Sequence, residues 1–165
     1  KVMPLEGAEN LVIEGESFEA FNTSGGCATM CETYADKVEN LTYKTIRYPG
    51  HLKHMKFLFN DLHLKKNKDI LEKLFDKEVP RTKNDLIIFF IKVIGLIDGV
   101  LQEKTYLRKI YGDEKFSAIQ LTTASGACSA LKMFLDGKIS SKGFIKQESL
   151  SWKDFIDNKF GSVYQ

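Results

Sequence analysis

The sequence lacks most of the features that announce a function. Its longest unbroken apolar run, Leu86 to Ile91, is far shorter than the roughly 20 residues needed to cross a bilayer. It opens Lys1-Val-Met-Pro-Leu-Glu6, without the basic-then-apolar layout of a signal peptide and without an initiator methionine. A cytoplasmic piece of a longer protein is therefore expected. Three cysteines, Cys27, Cys31 and Cys128, do not make a disulfide framework, and the first two lack the spacing of a CxxC redox or zinc motif. They read as small apolar residues in a reducing compartment. Only three prolines and a net charge of +2 argue against a disordered chain. The 24 basic and 22 acidic residues are scattered, so no nucleic-acid partner is demanded.

Several catalytic signatures are missing too. Neither Gly-x-Gly-x-x-Gly nor Gly-x-x-x-x-Gly-Lys-Ser/Thr occurs, so any nucleotide in the chemistry is held elsewhere. No Gly-x-Ser-x-Gly elbow is present, which argues against a serine hydrolase. His51, His54 and His63 have no Cys or acidic residue completing a familiar zinc spacing. They read as surface histidines among Lys53, Lys56 and Lys65, and no metal is expected.

What is present is 165 residues, 43% hydrophobic, enough for one domain of ordinary size. Leu11 to Asn22 reads as a hairpin turning at Gly15-Glu16, and Asn22 to Gly26 as a run of small turn-forming residues. A short helix over Ala28 to Tyr34 and a strand over Val38 to Tyr48 follow, the latter stopped by Pro49-Gly50. His51 to Leu62 and Lys68 to Phe75 carry apolar residues at three- and four-residue spacing, which predicts two helices. Asn84 to Ile97 is rich in Ile and Phe and apolar on both faces, so it predicts a strand covered on both sides. Asp98-Gly99 predicts a tight turn into a partner strand, Val100 to Tyr111. Phe116 to Thr122 reads as a further strand leading through Thr123-Ala-Ser-Gly126 into a helix ended by Gly137. A short strand near Phe144 to Gln147 and a helix at Trp152 to Asn158 complete the chain. The expected class is α+β: a mixed, mainly antiparallel sheet with helices packed on one face.

Three positions could carry chemistry. Arg47 ends a strand just before a Pro-Gly break, where its planar donors either engage both oxygens of a substrate carboxylate or pair with an acidic neighbour. Thr123 and Ser125 stand at the expected strand-to-helix junction, where they either help an anion onto free N–H groups or simply cap the helix. Asn22 to Gly26 is a tight turn, or a ligand loop if it faces a cleft.

Phe21-Asn-Thr-Ser-Gly-Gly26, Glu32-Thr-Tyr34 and Leu41-Thr-Tyr-Lys-Thr-Ile-Arg-Tyr-Pro-Gly-His51 together resemble the C-terminal substrate-binding domain of the saccharopine dehydrogenase family. So do Ile119-Gln-Leu-Thr-Thr-Ala-Ser-Gly126 and the ending Asp154 to Tyr164. Nearly the whole chain is covered, and Arg-Tyr-Pro-Gly-His is the most specific element. The resemblance implies a single substrate-binding and dimerisation domain over 1–165, of the same α+β fold. A separate N-terminal Rossmann domain would hold NAD or NADP, none being bound by this chain alone. The implied chemistry is oxidation or reduction at the C–N bond of an amino acid such as saccharopine or lysine. The partners the resemblance implies are the amino-acid substrate, the chain's own Rossmann domain and a second copy in a homodimer. On the same resemblance Arg47 becomes a substrate-carboxylate clamp, Tyr48 and His51 shape or polarise the pocket, and Asn22, Thr23, Ser24, Thr123 and Ser125 line it. A non-catalytic binding or dimerisation domain that keeps the fold is the alternative.

Overall fold

The first hairpin turns where both central residues take positive φ, Glu14 at 51° and Gly15 at 85°, a twist that suits a two-residue connection between antiparallel strands. In this computed structural model, which describes residues 3–23 and 26–165, β1 (Glu9–Ile13) pairs with β2 (Glu16–Phe21). The turn is thus Glu14-Gly15, one residue before the position expected from sequence. Glu19, Ala20 and Phe21 of β2 then pair antiparallel with Arg47, Ile46 and Thr45 of β3 (Thr45–Arg47), in a sheet of order β1-β2-β3. The expected strand over Val38 to Tyr48 shrinks to these three residues. Phe21, the last residue of β2, already faces Thr45, so β2 ends before it can pair with residues 38–44.

Helix α1 (Met30–Thr33) lies between β2 and β3. After β3 come α2 (His51–Lys56), a wide π-type turn over Phe57–Asp61, a 3-10 turn at Leu64–Lys66 and α3 (Lys68–Glu78). Ile13, Phe18, Ala20, Phe21 and Leu52 are buried. All belong to one of two compact units into which the chain divides, Lys1–Pro80 and Arg81–Gln165.

In the second unit β4 (Leu86–Ile97) and β5 (Val100–Tyr111) form a two-stranded antiparallel sheet, joined at Asp98-Gly99 with φ of 52° and 78°. Its root is packed: Phe89 meets the Tyr164 ring edge-on at 5.5 Å, and the Tyr106 hydroxyl donates to the Tyr164 carbonyl at 2.5 Å. The outer half is not covered as the sequence predicts. Val93, Ile94, Leu96 and Leu101 are 55–72% exposed. The strand is twelve residues long, and the helices of its own unit pack only near the root.

Phe116 to Thr122 is not a strand. Helix α4 (Ala118–Leu135) runs through it, and Thr123-Ala-Ser-Gly126 lies inside that helix, not in a loop before it. The physical reason is a strong start signal. The Ser117 side chain accepts from the Gln120 N–H while the Gln120 side chain accepts from the Ser117 N–H. Asp85 adds its carboxylate, accepting from the N–H groups of Ala118 at 2.6 Å and Ile119 at 3.1 Å. The expected strand at Phe144 to Gln147 is also absent; extended chain there leads into a 3-10 turn at Gln147–Ser149.

Helix α5 (Trp152–Ile156) and a final 3-10 turn, Gly161–Tyr164, close the unit against α4. Ser129, fully buried, donates to the Phe155 carbonyl, and Asn158 donates to Ser129 Oγ at 2.7 Å. Asn158 Oδ1 accepts from the N–H groups of Phe160 and Gly161. A Cβ at Gly161 would stand 1.7 Å from the Phe155 carbonyl oxygen, so only glycine lets the tail approach this closely. The Tyr164 hydroxyl donates to the Thr122 carbonyl at 2.5 Å. The architecture is α+β, with small antiparallel sheets and several helices.

Candidate functional site

Tyr48-Pro49-Gly50-His51 makes a four-residue turn in which the His51 N–H donates to the Tyr48 carbonyl at 3.3 Å. Proline favours the second position of such a turn, and the third needs positive φ; Gly50 has φ 96°. The turn reverses the chain at the end of β3 and starts α2 at once. Glu19, on the neighbouring β2, holds the start in place: its carboxylate accepts from the N–H groups of Gly50 at 3.1 Å and Leu52 at 2.6 Å. Arg47 and His51 are thereby fixed on either side of one turn.

Both line an open groove of about 650 Å³ in the first unit, within the roughly 300–1,000 Å³ range of small-molecule sites. Thr23 lines it too, its hydroxyl 2.7 Å from that of Thr45. The rest of the wall comes from α2 and the wide turn after it. His51, Met55 and Phe59 are spaced by four, as are Lys56 and Asn60, and all five line the groove. In a strict α-helix each four-residue step drifts by about 40° around the axis. The wide turn, marked by the Leu62 N–H donating to the Phe57 carbonyl, counters that drift and keeps Phe59 and Asn60 on the groove face.

The segment Met3 to Glu6 forms another wall. Asn22 ties it down: its backbone N–H and its Nδ2 both donate to the Glu6 carbonyl, and its carbonyl accepts from the Leu5 N–H at 2.7 Å.

Electrostatically the groove is positive. Arg47 donates one N–H to the carbonyl of Ile46, and no carboxylate pairs with it among the described residues. Lys56 and Lys65 also line the groove and have no ion-pair partner among the described residues. The one carboxylate lining the groove among the described residues, Glu6, accepts from the Met3 N–H at 3.2 Å. The His51 ring stacks on buried Phe21 at 6.1 Å. Lost hydration on that side, then the Arg47 charge, hold its pKa below the ordinary imidazole value; Glu19 works in the opposite direction and His54 with Arg47. At neutral pH it is therefore an uncharged donor and acceptor beside a fixed cation.

The residues expected from sequence thus divide. Arg47, His51 and Thr23 come together on one groove. Asn22 supports the wall without lining it. Tyr48 is 66% exposed and lies against Phe18, with ring centroids 5.6 Å apart. Ser24 falls outside the described residues. Thr123 and Ser125 belong to the second unit, where their N–H groups lie well inside α4 and cannot present the free donors of a helix start. Lys56, Asn60 and Lys65 were not singled out from sequence. The usable signal was the four-residue spacing from His51, which continues one helix face past the charged Lys56. Among the described residues no group of three His, Cys, Asp or Glu side chains is placed to hold a metal ion, and no helix is long and apolar enough to cross a membrane. No family model matches the chain, and no solved structure matches it.

Proposed function

We propose that the chain is the substrate-binding half of an NAD(P)-dependent oxidoreductase acting at the C–N bond of an amino acid such as saccharopine or lysine. The observation that carries this reading is Arg47, a guanidinium without a carboxylate partner among the described residues, set in a groove beside Thr23 and neutral His51. A fixed cation flanked by neutral donors suits an amino-acid carboxylate. The residues that build this corner, Arg47-Tyr-Pro-Gly-His51, are also the most specific part of the resemblance to the saccharopine dehydrogenase family. The cofactor would be held by a separate Rossmann domain, and this half would contribute orientation of the substrate against the nicotinamide.

In the intact enzyme, Arg47→Ala weakens saccharopine binding by about tenfold or more, the usual scale for losing a charge-assisted pair, and leaves NAD(P) affinity unchanged. Equal substrate affinity in variant and wild type overturns the assignment. A strand followed by Gly-x-Gly-x-x-Gly encoded upstream of Lys1 is expected on the same reading.

A second reading, a non-catalytic dimerisation domain, draws on a different feature: the apolar outer half of the β4–β5 hairpin, exposed at Val93, Ile94, Leu96 and Leu101. Dimerisation is compatible with both readings. Reduction of NAD(P) by the intact protein with saccharopine or lysine separates them.

A further inference from the structure

Cys31 does not fill the small apolar role that the sequence suggests. It is exposed on α1, while Cys27 is half-buried just before that helix. The backbone bends sharply on both sides of Cys27. Gly26 has φ 114°, and a Cβ there would stand 3.2 Å from the Tyr43 ring. Ala28 has φ 45°, in the left-handed region that residues with a Cβ rarely enter. The Met30 N–H then donates to the Cys27 carbonyl at 2.8 Å and closes the turn into α1. The Cys27 and Cys31 side chains are thereby brought into hydrogen-bond contact. Helix α1 is a single turn, Met30–Thr33, with no buried residue, so its side chains can shift without disturbing a core.

Two thiols in contact can share a metal ion or join to each other. A zinc site needs four ligands, and among the described residues no third His, Cys, Asp or Glu side chain joins this pair. We propose that Cys27 and Cys31 are a redox-sensitive modification site, closing to a reversible disulfide by exchange with a low-molecular-weight disulfide such as that of glutathione. Burial, then the charge and hydrogen bond of Cys31, hold the Cys27 thiol above its ordinary pKa. Cys27 is therefore protonated at neutral pH, and the exposed Cys31 attacks first. Cys31 loses its proton and attacks one sulfur of the small disulfide. That S–S bond breaks, and one small thiolate leaves and takes up a proton. Cys27 then loses its proton and attacks Cys31 Sγ, which forms the Cys27–Cys31 bond and expels the second small thiolate. Two protein thiols are oxidised, and one small disulfide is reduced to two thiols. The existing contact supplies the proximity that favours this second step over a lasting mixed disulfide.

Incubation of the chain with oxidised glutathione, then digestion by trypsin and mass spectrometry without reduction, tests this. Trypsin leaves Cys27 and Cys31 on one peptide, residues 2–37, and Cys128 on another. The expected product is the first peptide lighter by two hydrogen atoms, returned to its original mass by excess reduced glutathione. Cys27→Ser is expected to stop at a glutathione adduct on Cys31, because the second step has lost its nucleophile. Circular dichroism checks that this variant keeps the fold. A glutathione adduct that persists on Cys31 of the wild-type chain overturns the inference. So does a linkage to Cys128, a linked pair that excess reduced glutathione leaves intact, or no reaction at either cysteine.

Discussion

His51 shows what one side chain owes to its surroundings. Its position in the sequence, after Pro-Gly at a helix start, says nothing about its charge. Stacking on Phe21 and the proximity of Arg47 favour the neutral ring, and Glu19 opposes them. NMR titration is expected to give a midpoint below about 6.5, the free imidazole value. Arg47→Ala raises that midpoint, and Glu19→Gln lowers it. The sign for stability follows from proton binding: below about 6.5 the unfolded ring takes up a proton that the folded ring resists. Stability from this residue is therefore fully present above that pH and falls as the pH drops toward the folded midpoint. A midpoint at or above the free value in the folded chain contradicts the assignment. Sequence made Arg47 and His51 visible as candidates because a Pro-Gly break next to a strand end is a local signal. Lys56 and Lys65 were hidden because their meaning depends on the groove they share.

At the scale of elements, turns and helix starts decide the local structure. Gly50 holds a φ of 96° at the point where β3 becomes α2, and its N–H is bonded to Glu19. Gly50→Ala forces an L side chain into the left-handed region and is expected to cost about 1–2 kcal/mol in chemical denaturation. The same substitution at Gly95, in β4 with nothing within 4 Å of the added Cβ, is the matched control and costs little. Equal effects at the two sites would refute the role given to the turn. The Asp98-Gly99 turn, the first hairpin to within one residue of its turn, the helices after His51 and Lys68, and the long β4–β5 pair were legible because their signals are local and periodic. The start of α4 departs from the strand expected there. Apolar and β-branched residues in Phe116 to Thr122 suggested a strand, but Ser117-Ala-Ile-Gln120 was a capping box in plain view. The contribution of Asp85, 32 residues upstream of Ser117, was not.

For the whole molecule, the division after Pro80 has a consequence that can be measured. Residues 79–84 are exposed and lie outside helices and strands, between α3 and β4. Limited trypsin digestion is expected to cut first between Lys77 and Lys83, giving two pieces that resist further cleavage longer than the intact chain resists the first cut. First cleavage inside α4 or β5 would contradict this. Asn22, Thr23, Arg47 and His51 share the first unit, while Thr123 and Ser125 belong to the second.

Alternation, turn chemistry and helical spacing, all short-range, by themselves determined the α+β class, the pairing of both hairpins, the Asp98-Gly99 turn and the corner at Arg47-Tyr-Pro-Gly-His51. Tertiary structure alone decided which donors meet. Glu19 reaches 31 residues along the chain to hold Gly50, Phe21 receives the His51 ring, and Lys56 and Lys65 join Arg47 on one wall. Those pairings depend on how β2 and α2 pack, and packing is set by distant residues that no local pattern encodes.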